Sequence, residues 1–122
     1  MKKKILVVDD EAAITRFLKL ALERIGTYEV RTENQGLMAF RVAKDFRPDL
    51  ILLDVNIPDH DGGELSEQFR QDATLGRIPI IFLTGAVSPS EAEWEIPTIR
   101  GCPVVAKPVN MEKLIKTIEK YT

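Results

Sequence analysis

Four runs of the chain are apolar without alternation: Ile5–Val8, Leu50–Leu53, Pro79–Leu83 and Val104–Ala106. Short uninterrupted runs of this kind read as strands buried on both faces, as in a parallel sheet. A fifth stretch, Tyr28–Glu33, alternates apolar and polar positions and predicts a short edge strand, partly covered on one face. Helical spacing fills the intervals. Over Ala12–Ile25, one apolar stripe of Ile14, Phe17, Leu18, Ala21, Leu22 and Ile25 lies opposite Arg16, Lys19, Glu23 and Arg24, with Gly26 at a C-cap position. A second helix is expected over Gln35–Phe46, with Asn34 able to cap it and Pro48 ending it. Its inward residues are Leu37, Met38, Ala39, Val42, Ala43 and Phe46. A third runs from Gly63 to about Arg70, with Leu65 and Phe69 four apart. The QDATLGR stretch loses the pattern and is expected to loop outward. A fourth helix, short and weakly patterned, is expected near Glu91–Glu95 with Ser88 or Ser90 as its cap, because Pro97 interrupts it and Gly101 and Pro103 follow. A last helix starts after Asn110, runs to about Tyr121 and turns Leu114, Ile115 and Ile118 inward.

Strand and helix thus alternate five times. Helical crossovers of this length give right-handed connections and a parallel sheet covered by helices on both faces. The length of 122 residues suits one domain spanning residues 1–122. A hydrophobic fraction of 44% and a charged fraction of 30% are those of a globular protein with an ordinary core. The 17 basic and 19 acidic residues nearly cancel, and no basic cluster extends beyond Lys2–Lys4, so direct nucleic-acid binding by this chain is not expected. The single cysteine, Cys102, excludes an internal disulfide and suits a reducing, cytoplasmic setting; it reads as a small buried or half-buried apolar residue. No apolar run approaches the ~20 residues that cross a bilayer, and no targeting segment is read at the start of the chain.

The candidate chemistry lies where the strands end. Asp9 and Asp10 follow the first, Asp54 ends the third, Thr84 follows the fourth and Lys107 the fifth. Parallel strands all finish on one edge, where open α/β sheets bind ligands, so these residues converge although far apart in sequence. Adjacent carboxylates repel and add little to folding, although Asp9–Glu11 could also be a solvated loop favouring a helix start. Crowded carboxylates call for a hard divalent cation, and Mg²⁺ suits carboxylates, waters and a phosphate oxygen. His60, the one histidine, sits in a turn-rich loop without Cys or His neighbours, which disfavours zinc. Carboxylates form phosphoryl-enzyme intermediates, and a cation makes Asp54 usable as a nucleophile toward phosphorus. Phosphoryl transfer needs positive charge on the equatorial oxygens. Mg²⁺, the Lys107 ammonium, the Thr84 hydroxyl and the backbone N–H near Gly85 are the parts to supply it.

The pieces VVDDE (Val7–Glu11), LLDVNIPDHDGG (Leu52–Gly63), FLTG (Phe82–Gly85) and AKPV (Ala106–Val109), in this order and spacing, resemble the receiver domain of bacterial two-component response regulators over essentially the whole chain. The resemblance implies a doubly wound, flavodoxin-like α/β fold of the chemotaxis-regulator kind. It has a five-stranded parallel sheet in the order 2-1-3-4-5 and five helices. It implies that Asp54 is phosphorylated by a sensor histidine kinase or a phosphotransfer protein. Asp10 and Asp54 would bind Mg²⁺ directly, Asp9 mostly through water, and the Asn56 backbone carbonyl would complete the protein ligands. Thr84, Gly85 and Lys107 would bind the phosphoryl group, and Pro108 would follow a cis bond.

By the same resemblance, phosphorylation reshapes the face made by helix four, strand five and helix five. That changes binding of a downstream protein, a fused output domain or another receiver, homodimerisation included. Such a chain is a switch and not an enzyme, apart from self-phosphorylation by small phosphodonors and self-dephosphorylation. One departure stands out: Val104 occupies the position where the family usually carries Tyr or Phe, so its ring movement cannot operate as usual. Pro97 and Pro103 depart from the pattern in the same region. Trp94 is compatible with half-buried packing or with partner contact. A non-phosphorylated receiver-like binding module is the alternative, although a degenerate site has little reason to keep Asp9, Asp10, Asp54, Thr84 and Lys107 together. Haloacid-dehalogenase-type phosphatases also use an Asp nucleophile with Mg²⁺, but place a second Asp where this chain has Asn56.

Overall fold

A computed structural model of the chain describes residues 2–57, 60–85, 98–99 and 101–122, with the backbone alone at residues 56, 60–63 and 98–99. The elements in chain order are β1 (Lys3–Val8), α1 (Ala12–Ile25), β2 (Tyr28–Glu33), α2 (Gly36–Phe46), β3 (Leu50–Asp54), β4 (Asn56–Ile57), β5 (His60–Asp61), α3 (Gly62–Gln71), β6 (Ile80–Thr84), β7 (Thr98–Ile99), β8 (Cys102–Ala106) and α4 (Met111–Tyr121). The main sheet runs β2-β1-β3-β6-β8-β7. Its first five strands are parallel, which is the order 2-1-3-4-5 when those five are counted alone.

Two features correct the expected architecture. The described residues contain four helices, not five. The fourth helix of the sequence reading, near Glu91–Glu95, lies outside the described residues, as do Ser88, Ser90, Trp94 and Pro97. In addition, β7 pairs antiparallel with β8 as a sixth, edge strand, with Thr98 opposite Pro103 and Ile99 opposite Cys102. Gly101 adopts φ +79 in the two-residue connection, which lets the chain fold straight back on itself. The glycine and proline that looked like helix breakers therefore belong to a hairpin. Pro103 precedes Val104, the first β8 residue paired with β6, and so stands at the start of the strand outside that ladder.

Successive residues of each parallel strand point to opposite faces, and each face has its own core. Leu6, Val8, Ile51, Leu53, Phe82 and Val104 pack with Ala39, Ala43, Phe46, Leu65 and Phe69 under α2 and α3. Ile5, Val7, Leu50, Leu52, Ile81, Leu83 and Val105 pack with Leu18, Leu22, Leu114 and Ile118 under α1 and α4. Helices on both sides are why these strands carry no polar alternation.

Helix α1 ends on Gly26 in the left-handed conformation, its N–H donating to Glu23 O. The stripe on α1 is narrower than its spacing suggests: Leu18 and Leu22 are buried, whereas Phe17 and Ile25 are exposed. On α2, Leu37 and Met38 are exposed and Ala39, Ala43 and Phe46 carry the packing. Gln35, not Asn34, occupies the N-cap of α2, and no side chain caps it. Asn110 does cap α4, its Oδ1 accepting from Lys113 N–H at 3.1 Å. The QDATLGR stretch turns inward rather than outward. Asp72 Oδ1 accepts from the N–H groups of Thr74 and Leu75 at 2.8 and 3.0 Å, and the turn so formed buries Leu75.

Candidate functional site

The strand ladders set the positions of the polar residues at the carboxyl edge. Asp9 follows β1 and is tied to the end of β2 through its N–H, which donates to Glu33 O at 3.1 Å. Its carbonyl accepts from Asn34 Nδ2 at 2.8 Å, and the same amide donates to Thr15 Oγ1 at 3.0 Å. Asp54 pairs in register with Leu83, and the next N–H, of Val55, donates to Leu83 O at 3.2 Å. Thr84 pairs with Ala106, and Lys107 N–H donates to Thr84 O at 2.9 Å. Four residues distant in sequence, Asp9, Asp54, Thr84 and Lys107, are therefore fixed by the backbone ladders at one edge.

Asp9, Asp54 and Thr84 are 0%, 4% and 1% exposed, so two carboxylates are held out of water. Asp10 is exposed. One ligand oxygen from each of Asp9, Asp10 and Asp54 lies within 4.8 Å of the other two. Lys107 reaches into this group, its Nζ 2.7 Å from Asp9 Oδ2, 3.4 Å from Asp54 Oδ2 and 3.7 Å from Glu11 Oε1. Asp9 Oδ1 accepts from Glu11 N–H at 3.0 Å, closing the turn that starts α1. Asp9 Oδ2 has no partner in hydrogen-bond geometry, so its approach to Nζ is a contact of charges. Burial alone would depress Lys107, but contact with Asp9 and Asp54 outweighs it and the ammonium titrates above the ordinary lysine range. The Lys107–Pro108 peptide is cis.

Of the residues singled out in the sequence, Asp9, Asp10, Asp54 and Lys107 are brought into direct proximity. Thr84 and Gly85 sit on the adjoining strand end, and the backbone of Asn56 opens the β4–β5 hairpin directly after Asp54. Two participants were missed by sequence reasoning. From sequence Glu11 suggests only a charge favouring the first turn of α1, yet it reaches Lys107. Asn34 suggests a helix cap, yet it anchors the Asp9 backbone. The strand-end rule applied to β2 would have found Asn34, because it follows Glu33 on the same edge as Asp9.

The donor set fits a hard divalent cation: three carboxylates, oxygen only, one of their atoms buried and lacking a hydrogen bond. Carboxylates able to hold a hard cation, facing the Lys107 ammonium at the carboxyl edge of a doubly wound sheet, suit phosphoryl transfer to an aspartate. The comparisons with known proteins agree. Residues 5–119 match the response regulator receiver domain. The chain is 32% identical over 124 residues to the polar-differentiation response regulator DivK of Brucella anthropi, covering 99% of this chain and 97% of that one. It is 48% identical over 84 residues to the alkaline phosphatase synthesis transcriptional regulatory protein PhoP of Bacillus subtilis, where the match covers 69% of this chain and 34% of that protein. The structure superimposes on the chemotaxis response regulator CheY4 of Vibrio cholerae with a TM-score of 0.84, 32% identity and full coverage of both chains.

The chain belongs to the response regulator receiver domain family. It is a phosphorylation-dependent switch with the acidic Mg²⁺ site of that family, and not an enzyme beyond autophosphorylation and dephosphorylation. Membership implies interaction with a histidine kinase or phosphotransfer partner. Among the described residues no helix is long and apolar enough to cross a membrane.

Proposed function

We propose that Asp54 is the phosphoacceptor, that Asp9, Asp10, Asp54 and the Asn56 carbonyl hold Mg²⁺, and that Thr84, the Gly85 N–H and Lys107 receive the phosphoryl group. The observation that carries this reading is the Lys107 ammonium 3.4 Å from Asp54 Oδ2, with the carboxylates of Asp9 and Asp10 alongside. An Asp54 oxygen attacks phosphorus and forms the P–O bond. The bond to the donor breaks, to the imidazole nitrogen of a phosphohistidine or to the carboxylate oxygen of acetyl phosphate, and the leaving group takes the electron pair. Lys107 follows the charge from the carboxylate to the phosphoryl oxygens, and the Thr84 hydroxyl donates to one of them. The metal supplies further charge neutralisation on those oxygens.

The switch occupies residues 1–122 in the cytoplasm, receives its phosphoryl group from a sensor histidine kinase or phosphotransfer protein, and reports through the face that includes β8 and α4. The readers of that face are a downstream protein, a fused output domain or a second copy of the chain. Val104 is buried opposite Phe82 within the α2–α3 core, so transmission proceeds without the ring movement usual in the family.

Intact mass with acetyl phosphate, with and without Mg²⁺, tests the assignment. One Mg²⁺-dependent phosphoryl adduct is expected on the unaltered chain and none on Asp54→Asn. An adduct that persists on Asp54→Asn at another residue would overturn it. Amide shifts on adding beryllofluoride and Mg²⁺ test transmission. Changes should extend across residues 98–106 as well as around Asp54, and changes confined to the active-site loops would refute an output switch on that face.

A further inference from the structure

The Lys107 ammonium has three carboxylates around it, and only two of them, Asp9 and Asp54, are buried. Asp9 and Asp54 are wanted by the cation. Glu11, by contrast, is 59% exposed on its side chain and has Oε1 3.7 Å from Nζ. A lysine stem has enough free rotation to move its charge by an ångström or two without backbone change. Mg²⁺ entering beside Asp9 and Asp54 repels an ammonium 2.7 Å from the same Asp9 oxygen. That ammonium needs a seat close enough to return from once a phosphoryl group appears on Asp54.

We propose that Glu11 is this seat: it takes over the Lys107 ammonium when a divalent cation occupies the Asp9–Asp10–Asp54 group, and thereby favours metal loading. The proposal rests on the family's metal site and adds a positioning residue to it. Glu11 does not touch the phosphoryl group. It holds Lys107 poised beside the site in the metal-bound state, so that the charge is present when transfer occurs.

A double-mutant cycle on the full chain separates this role from plain electrostatics. Mg²⁺ affinity is read by calorimetry or amide-shift titration for the unaltered chain, Glu11→Gln, Lys107→Met and the double variant. Lys107→Met should tighten Mg²⁺ binding, on the order of tenfold, because it removes a competing charge. Glu11→Gln should weaken it by about two- to fivefold in the presence of Lys107, the range of a partly exposed ion pair. With Met at position 107, Glu11→Gln should leave the affinity nearly unchanged. A non-specific field effect, or direct coordination by Glu11, predicts the opposite: equal weakening in both backgrounds, which would overturn the proposal. Failure of Lys107→Met to tighten binding would overturn it as well.

An NMR observation of the Lys107 ammonium gives a reading that needs no altered lysine. Its ¹H–¹⁵N signal should survive Mg²⁺ addition in the unaltered chain and be lost to solvent exchange in Glu11→Gln. Survival in both refutes the seat. None of these measurements involves phosphorylation, so failure of the Asp54 assignment would show separately, in the mass experiment.

Discussion

Among the described residues Lys107 is the cation in contact with Asp9, Asp54 and Glu11, and removing it tests the electrostatics of the site most directly. Lys107→Met keeps the length of the stem and deletes the charge. The ammonium lies 2.7 Å from Asp9 and 3.4 Å from Asp54, both nearly inaccessible to water. At an effective dielectric of about 20 these contacts amount to about 6 and 5 kcal/mol of gross attraction. Much of that is spent in desolvating the ammonium and holding the carboxylates together. Breaking a buried pair by deleting one partner has a net effect of about 3–5 kcal/mol. Lys107 keeps some access to solvent, so the lower end, about 3 kcal/mol, applies here. For a chain of this size that is a fall in Tm of about 10–15 °C. The assay is a pair of thermal melts, one in chelator and one in saturating Mg²⁺. The variant should melt well below the unaltered chain in chelator and recover more from the metal, because the cation then supplies the missing positive charge. Titration gives the sign independently. Lys107 is raised above its ordinary value of 10.5 in the folded chain. Its contribution is therefore complete below that pH and is lost as pH rises through the higher folded value. The gap between the two proteins should hold through neutrality and close only in strong alkali. Equal melting in chelator, or an equal gain from Mg²⁺, would refute the reasoning.

Other expectations follow from single contacts. Asn34→Ala deletes the donor to Asp9 O and Thr15 Oγ1; it should lower stability by about 1–2 kcal/mol in denaturant melts and weaken Mg²⁺ binding through a displaced Asp9. Leu75→Ala opens the core beside Phe69 and Ile80, and should lower stability by about 2–4 kcal/mol while leaving the phosphoryl adduct detectable. Asp72→Ala removes both the turn bonds and the 2.8 Å pair with Lys44. Because the Lys44 contact and the Thr74 and Leu75 bonds hold the Asp72 carboxyl well below its ordinary 3.8, its contribution is present above that pH and lost as the medium is acidified through the lower folded value. The denaturant midpoints of Asp72→Ala and the unaltered chain should accordingly differ at neutrality and converge in strong acid.

The parallel strands were legible because their chemistry is one-sided. A strand covered on both faces must be apolar throughout, and Ile5–Val8, Leu50–Leu53 and Pro79–Leu83 satisfy that with no competing reading. Strand ends follow from strands, so the placement of Asp9, Asp54, Thr84 and Lys107 on one edge was available before any coordinates. Helix faces were less legible. Spacing alone assigned Phe17, Ile25, Leu37 and Met38 inward, yet burial on α1 and α2 is carried by narrower stripes, with small residues such as Ala39 and Ala43 at closest approach. Periodicity counts apolar positions but does not say how wide a stripe the sheet beneath can cover. The hairpin at 98–106 was hidden for another reason. Gly101 and Pro103 carry the same punctuation whether they end a helix or turn a strand, and two-residue β7 is too short for alternation to declare itself.

Glu11 shows the limit most clearly, and it points to how the site works. In sequence it is one more acidic residue beside Asp9 and Asp10, and its pull on Lys107 depends on where β8, about ninety residues further along the chain, delivers an ammonium. That encounter is a product of the assembled sheet: β1 sits beside β3, and β8 arrives at the far side of β6, so Lys107 must reach across the ends of two strands to meet Asp9. A residue that spans such a distance is held by whichever carboxylate the local charge favours. With Asp9, Asp54 and Glu11 all in range, the balance is set by what else enters the site. Under the proposed assignment a divalent cation would compete for the two buried carboxylates, and a phosphoryl group on Asp54 would draw the ammonium back. The same long reach that hides the Glu11 contact from sequence would thus make the position of Lys107 responsive to the chemical state of Asp54.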